Sequence, residues 1–134
     1  MLKYSVLMST YAKDDAAFLK AAVSSMLLQS VAPDEFVLVC DGPLSEDLDN
    51  VIAEFKGNPV FKIVRLGKNS GLGIALNEGL KYCTNELVAR MDSDDLASPY
   101  RCELQLKAFE EDPELTFTGG AVEEFTGAAV NVSD

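Results

Sequence analysis

The sequence contains no histidine and few basic residues. Without histidine, the chain lacks the commonest general base of enzymes and the Ser-His and Cys-His pairs that activate a nucleophile. Any acid–base chemistry must therefore use carboxylates, lysine or tyrosine. Eleven lysines and arginines stand against 22 aspartates and glutamates, which gives a net charge of −11. This charge opposes non-specific binding to nucleic acid and to anionic membrane surfaces, so we expect no nucleic-acid partner.

Cysteines and long apolar runs are also scarce. The three cysteines, Cys40, Cys83 and Cys102, are odd in number and form no close pair at metal-ligand spacing, which argues against a disulfide framework or a zinc site. No apolar run approaches the roughly 20 residues that span a bilayer. No charged leader with an apolar segment and a cleavage site precedes the first predicted strand. We therefore expect a reducing, cytoplasmic setting.

The 134 residues, of which 48% are hydrophobic and 25% charged, are enough for one globular domain. Strand-like and helix-like segments alternate four times at crossover spacing. This pattern predicts an α/β fold, a doubly wound and mostly parallel sheet with helices on both faces. The predicted strands are 4–10, 35–40, 60–65, the run that begins at 87, and 115–118, with a short further strand at 121–125.

Four helices are predicted between and after these strands. The first runs from Ala16 to about Gln29 behind caps at Asp14 and Asp15, the second begins after Ser45, and the other two cover 72–82 and 99–111. Apolar residues at helical spacing indicate the inward faces. In the first helix these residues are Phe18, Ala22, Met26 and Leu27, and in the third they are Leu72, Ala75, Leu76 and Leu80.

The most distinctive stretch follows the fourth predicted strand, where three carboxylates occupy four positions: Asp92, Asp94 and Asp95. Carboxylates packed so closely repel one another unless they stay hydrated or share a cation. Oxygen-only ligands suit Mg²⁺ or Mn²⁺, and an ion held by one or two carboxylates keeps positions open for water and phosphates. The alternative is a solvated acidic turn before the next helix, and the stretch alone does not decide between the two.

Other unusual loop residues also follow strands rather than precede them. Thr10 and Tyr11 follow the first strand, Asp41 the second, and the loop containing Lys68 the third. Ligands of open parallel sheets bind outside the carboxyl ends of the strands, so four such loops predict one shared site. Tyr11 offers an aromatic surface there, and Asp41 can accept a hydrogen bond from a base N–H.

Each of these residues also has a structural alternative. Asp41 precedes a glycine and could simply form a turn, and Lys68 could be a solvated loop lysine. Arg90 is two positions before Asp92 on the predicted strand. It could orient the acidic cluster, touch a phosphate, or serve only as a counter-ion for Asp92.

Four motifs in order resemble the signatures of family-2 glycosyltransferases with the GT-A fold, especially those that build bacterial exopolysaccharide and lipopolysaccharide. The resemblance covers roughly residues 3–125. The motifs are Ser-Val-Leu-Met-Ser-Thr-Tyr at 5–11, Cys-Asp-Gly at 40–42, Asn-Ser-Gly-Leu-Gly-Ile-Ala-Leu-Asn-Glu-Gly at 69–79, and Ala-Arg-Met-Asp-Ser-Asp-Asp at 89–95. The resemblance implies that residues 1–134 form a single nucleotide-sugar-binding domain.

The resemblance also implies roles for individual residues. Thr10, Tyr11 and Asp41 would contact the nucleoside. Asp92 would lie near the ribose and, with Asp94, would hold Mg²⁺ or Mn²⁺ at the diphosphate. Lys68 and Arg90 would assist with nucleotide binding. The expected reaction moves a sugar from a nucleoside diphosphate sugar, preferably a UDP sugar, to a glycan or lipid-linked acceptor with inversion.

In this family an acceptor-binding half with the catalytic base follows the nucleotide-binding half. We expect that base beyond Asp134, so that the present chain lacks the acceptor site and exposes an apolar face prone to self-association. The setting implied is cytoplasmic, at the inner face of the cell membrane. Two alternatives stay open from the sequence: a nucleotide-binding regulatory domain without turnover, and a phosphoacceptor receiver domain.

Overall fold

A computed structural model describes residues 2–112 of the chain. Within them, four strands alternate with four helices, as the sequence predicts for an α/β fold. The strands are β1 (Tyr4–Thr10), β2 (Glu35–Cys40), β3 (Phe61–Arg65) and β4 (Leu87–Arg90), and the helices are α1 (Ala16–Leu27), α2 (Glu46–Phe55), α3 (Leu72–Leu80) and α4 (Arg101–Glu111).

The sheet has the order β3-β2-β1-β4, and all its strands are parallel. The chain moves outward from β1 to β3 and then returns to the other side of β1 to form β4. Ligands of doubly wound sheets bind at the carboxyl ends of the strands where the order reverses, which is here the end of β1. A receiver domain, with the flavodoxin-like order 2-1-3-4-5, has β3 beside β1, so this sheet excludes that alternative.

Helices cover both faces of the sheet, as predicted. Side chains of α1, α2 and α4 pack with one set of strand residues, whereas α3 packs with the other set. Along β1, Val6 and Met8 point into the first layer, and Leu7 points into the second. Each central strand is therefore apolar on both faces, which explains its continuous hydrophobic sequence.

A buried carboxylate joins the amino ends of the strands. Glu35, at the start of β2, forms an ion pair with Lys62 of β3. Its Oε1 accepts hydrogen bonds from Ser5 Oγ of β1 and from the backbone N–H of Thr84, both at 2.8 Å. Burial would raise the pKa of Glu35, but the hydrogen bonds from Lys62, Thr84 and Ser5 outweigh it and lower that pKa to about 2. Glu35 was predicted only as part of a strand.

The predicted inward face of α1 is partly wrong. The helix ends at Leu27 rather than near Gln29, and its buried residues are Leu19, Ala22, Val23 and Met26. Phe18 is 58% exposed because it lies one position before Leu19, about 100° around the helix from the centre of the buried face. Asp15 caps the helix by accepting a hydrogen bond from the Phe18 backbone N–H, whereas Asp14, also predicted as a cap, has other partners.

The predicted face of α3 is also partly wrong. Ala75 and Leu76 are buried as predicted, but Leu72 and Leu80 are 57% and 44% exposed. The third buried residue is Gly79, where a Cβ atom would lie 2.5 Å from Leu7 Cδ1 and 2.6 Å from Val39 Cγ2. The helix therefore approaches the sheet too closely for a side chain at this position.

Some predicted boundaries shift by one or two residues. β3 begins at Phe61, and α4 begins at Arg101 because residues 98–101 form a turn closed by a 3.2 Å bond from Arg101 N to Ser98 O. Ser45 caps α2 as predicted, with its Oγ accepting the Leu48 N–H. The predicted strands 115–118 and 121–125 lie outside the described residues.

Candidate nucleotide and metal site

A cleft of about 500 Å³ opens at the carboxyl ends of the strands. Four of the predicted site residues line it: Tyr11, Asp41, Asp92 and Asp94. The loops after all four strands contribute to its wall, as predicted from the unusual residues that follow each strand. The other lining residues are Ser9, Asp14, Asn69, Gly71, Leu72 and Ser93.

The acidic loop after β4 brings its carboxylates together. One oxygen each from Asp92, Asp94 and Asp95 lies within 4.8 Å of the other two, and all three residues are exposed. Two oxygens on opposite sides of a Mg²⁺ ion at 2.1 Å are about 4.2 Å apart, so small side-chain rotations would let these groups share one ion. The donor set is oxygen only, which fits Mg²⁺ or Mn²⁺.

A buried arginine supports the acidic loop from behind. Arg101 is fully buried, and its Nη2 donates a 3.1 Å hydrogen bond to the Arg90 carbonyl at the end of β4. Burial lowers the pKa of the guanidinium, and Cys102, Tyr4 and Asp95 oppose that shift. The arginine thus places positive charge beneath a loop rich in negative charge. Sequence reasoning missed it because Arg101 stands among the ordinary polar residues of a predicted helix.

Asp41 fastens the loop that precedes α3. Its carboxylate is buried, and its two oxygens accept the backbone N–H groups of Ser70 at 2.7 Å and Gly71 at 3.0 Å. These contacts correspond to the structural role that the sequence left open. Each carboxylate oxygen can accept more than one hydrogen bond, and Asp41 lines the cleft, so acceptance from a nucleobase N–H stays a prediction.

Gly42 brings the loops after β2 and β3 into contact. Its φ of +89° lies in a region that L-residues rarely adopt, and a Cβ atom there would lie 2.5 Å from the backbone nitrogen of Asn69. The Asp-Gly pair of the second motif therefore serves two purposes. Asp41 binds the neighbouring loop, and Gly42 lets that loop come close.

Thr10 lies beneath the cleft surface. It is buried, and its Oγ1 donates a 2.8 Å hydrogen bond to Asp14 Oδ2. Asp14 Oδ2 also accepts hydrogen bonds from the Tyr11 backbone N–H at 3.2 Å and from the Ser93 hydroxyl at 2.8 Å. Asp14 therefore connects the loop after β1 to the acidic loop after β4, a role that its predicted place as a cap did not indicate.

The two predicted basic residues are less central. Lys68 is exposed and Arg90 half-buried, and neither is among the residues that line the cleft. Their predicted contacts with phosphate stay predictions.

Several curated proteins are similar to this chain over more than nine-tenths of its length. The chain is 45% identical over 130 residues to an uncharacterized glycosyltransferase of Haemophilus influenzae, covering 97% of this chain and 48% of that protein. It is 45% identical to the amylovoran biosynthesis glycosyltransferase AmsE of Erwinia amylovora, covering 91% and 46%. It is 40% identical to the UDP-Gal:alpha-D-GlcNAc-diphosphoundecaprenol beta-1,3-galactosyltransferase of Escherichia coli, covering 92% and 45%. The chain spans about half the length of these curated relatives.

Solved structures share the fold. TarS residues 1–349 from S. aureus in complex with UDP has a TM-score of 0.71 at 24% identity, over 82% of this chain and 32% of that one. The mannosyltransferase PcManGT from Pyrobaculum calidifontis, in complex with GDP-Man and Mn²⁺, has a TM-score of 0.70 at 20% identity, over 80% of this chain and 32% of that one.

Among the described residues, no helix has both the length and the apolar composition needed to cross a bilayer.

The family follows from the agreement of sequence and fold. The parallel sheet, the cleft at its carboxyl ends and the order of the four motifs all match the resemblance that the sequence suggested. The model of the family described as "Glycosyl transferase family 2" matches residues 5–131. The chain belongs to glycosyltransferase family 2.

Proposed function

We propose that this chain is the donor-binding part of a glycosyltransferase. The donor is a nucleoside diphosphate sugar, preferably a UDP sugar, and binding requires Mg²⁺ or Mn²⁺. The sugar passes with inversion to a glycan or lipid-linked acceptor. Because the chain spans about half the length of its relatives, this reaction is proposed for the enzyme as a whole.

One observation carries the proposal: Tyr11 and Asp41 share a single cleft with Asp92 and Asp94. An aromatic side chain and a buried acceptor suit a nucleobase, whereas clustered carboxylates suit a divalent cation. A nucleoside diphosphate bound to a metal ion would present both a nucleobase and a divalent cation to this cleft. The cleft volume of about 500 Å³ also lies within the range of small-molecule sites.

Each side chain has a defined part in this proposal. Tyr11 lies against the base, and Asp41 accepts a hydrogen bond from its ring N–H while keeping the 70–71 loop in place. Asp92 and Asp94 would hold the metal ion, which when bound neutralises the charge that grows on the departing diphosphate. Asp95 is close enough to take part. Lys68 and Arg90 assist only if they reach the phosphates when the donor binds.

Asp41 suits a pyrimidine such as uracil or thymine, since a carboxylate can accept the ring N–H of either base. Among these we prefer uridine. The names of two similar proteins support this choice, since one is a UDP-Gal-dependent galactosyltransferase and one structure contains UDP. The galactosyltransferase name also supports a lipid-linked acceptor. We infer that an enzyme with such an acceptor works at the inner face of the cell membrane. We propose that the catalytic base lies beyond Asp134, in the acceptor-binding half of the enzyme.

Calorimetric titration of UDP with and without Mn²⁺ tests the proposal. The variants are Asp94→Asn, which removes one clustered carboxylate, and Glu86→Gln as the matched control. Glu86 is also exposed, but it immediately precedes β4, at the opposite end of the strand. We expect Mn²⁺ to strengthen UDP binding in the wild type and in Glu86→Gln, and to have little effect in Asp94→Asn.

Equal Mn²⁺ dependence in all three proteins would contradict the metal site. Tighter binding of GDP than of UDP would contradict the uridine preference alone. Metal-dependent UDP binding without sugar transfer by a longer chain that includes the acceptor half would instead favour a regulatory nucleotide-binding domain.

A further inference from the structure

The side chain of Asp14 joins the two sides of the cleft. Its Oδ2 accepts hydrogen bonds from Thr10 Oγ1 and the Tyr11 backbone N–H on the β1 side. The same oxygen accepts the hydroxyl of Ser93, between two of the clustered carboxylates, on the β4 side. Helix capping does not explain this arrangement, because Asp15 caps α1.

We propose that Asp14 is a positioning residue that couples nucleotide binding to metal binding. The inference rests on the proposed function, in which Tyr11 contacts the base and the carboxylates beside Ser93 hold the metal ion. Asp14 fixes the distance between these two groups through Ser93. A nucleoside diphosphate bridges them, so its affinity in the presence of metal depends on that distance.

The need for such a tether follows from electrostatics. Asp92 and Asp94, on either side of Ser93, each have a carboxylate oxygen within 4.8 Å of the other. Their repulsion before an ion arrives favours an open loop. The 2.8 Å bond from Ser93 to Asp14 opposes that opening. Without it, the metal and the diphosphate would have to order the loop as they bind, and the cost would appear as weaker coupling between the two ligands.

The geometry also predicts which substitutions preserve the tether. All three hydrogen bonds end on Oδ2, so an asparagine whose amide oxygen takes that position can accept them without a negative charge. Asp14→Asn should therefore keep the coupling, and Asp14→Ala should lose it. A role for Asp14 as a metal ligand predicts the opposite for asparagine, because the charge would then matter.

The experiment measures the factor by which saturating Mn²⁺ strengthens UDP binding, with NMR titration for the weaker metal-free affinity. The proteins are the wild type, Asp14→Ala, Asp14→Asn, Ser93→Ala and, as a control at the neighbouring aspartate, Asp15→Ala. We expect the factor to fall about tenfold in Asp14→Ala and Ser93→Ala. It should stay within about threefold of wild type in Asp14→Asn and Asp15→Ala.

A wild-type factor of one would mean that the proposed function itself fails. A clear wild-type factor that Asp14→Ala and Ser93→Ala both retain would overturn the tether, and so would Asp14→Asn behaving like Asp14→Ala. If Asp14→Ala does not fold, Ser93→Ala decides the question, because it removes only the hydroxyl at the other end of the same hydrogen bond.

Discussion

The two ends of the sheet use carboxylates in opposite ways. At the amino ends, Glu35 is buried, forms an ion pair with Lys62 and accepts hydrogen bonds from Ser5 and Thr84. At the carboxyl ends, Asp92, Asp94 and Asp95 are exposed and lie close to one another. A carboxylate whose partners belong to the protein stabilises the fold. Exposed carboxylates that lie this close together are the ones we propose to bind a cation from solution.

Asp41 and Asp14 lie between these extremes. Both are at the carboxyl ends and both line the cleft, yet their oxygens accept hydrogen bonds from the neighbouring loops. The carboxyl end therefore contains two kinds of acid: those whose oxygens accept hydrogen bonds from neighbouring loops, and the exposed acids that we propose to bind a cation. The proposed difference between them can be tested one residue at a time.

The largest effect is expected for Glu35→Ala. The substitution leaves the Ser5 hydroxyl and the Thr84 N–H without their buried acceptor and removes the partner of Lys62. We expect the free energy of unfolding in urea to fall by about 3 kcal/mol, with UDP affinity of the folded protein unchanged within about twofold. Glu54→Ala, which breaks an exposed pair with Lys20, should cost less than about 0.5 kcal/mol. Equal losses of unfolding free energy in the two variants would contradict the stabilising role of the buried Glu35.

The same carboxylate predicts a pH dependence of stability. The pKa of Glu35 is lowered from 4.5 to about 2 in the folded protein, so its stabilisation is complete above pH 4.5 and is lost as the pH falls towards 2. The difference in unfolding free energy between the wild type and Glu35→Gln should narrow by about 2 kcal/mol over that interval, allowing for the solvent around Lys62. A difference that stays constant from pH 6 to 2 would rule out this assignment.

A smaller effect is expected for Gly42→Ala, which tests whether part of the carboxyl end is structural. The new Cβ would lie 2.5 Å from the backbone of Asn69 at a positive φ, so the loop after β3 must move. We expect a loss of about 1.5 kcal/mol of stability and weaker UDP binding. Gly67→Ala adds a Cβ with nothing within 4 Å and should change neither quantity. Unchanged UDP affinity in Gly42→Ala would mean that this loop does not shape the site.

The smallest effect is expected for Asp94→Asn in the absence of metal. Removing the charge of Asp94, which lies close to Asp92, should raise the melting temperature slightly, by about 2 °C. With Mn²⁺ present, the wild type should become the more stable protein, because only it retains the full set of ligands. Thermal unfolding with and without Mn²⁺ measures both values. A lower melting temperature of the metal-free variant would show that Asp94 stabilises the fold.

Much of the fold could be predicted because local patterns and tertiary packing agree. The apolar runs of β1 and β2 match strands buried on both faces, and Ser45 caps α2 as its position predicts. The spacing of apolar residues could not predict that Phe18, Leu72 and Leu80 are exposed. Helical periodicity alone does not give the centre of a buried face. Gly79 defines that centre in α3 by its approach to Leu7, which is a tertiary contact.

The candidate site shows the same division. The observation that unusual residues follow strands was sufficient to predict that Tyr11, Asp41, Asp92 and Asp94 share one cleft. The supporting contacts of Asp14 and Arg101 could not be predicted from local patterns, because each joins two separate segments. Asp14 contacts Ser93, about 80 residues later, and Arg101 contacts Arg90, about 10 residues earlier. The charge of Lys68 suggested a phosphate contact, but its position depends on the course of a loop.

Paramagnetic broadening of backbone NMR signals by substoichiometric Mn²⁺ tests the central claim most directly, with UDP present. Broadening should be strongest at residues 92–95, should extend to residues 10–14 and 41–42, and should spare the surroundings of Glu35 and Thr84. Asp94→Asn should reduce it at all of these positions. Broadening centred on the amino ends of the strands, or spread evenly over the acidic surface in both proteins, would contradict a donor and metal site at the carboxyl ends.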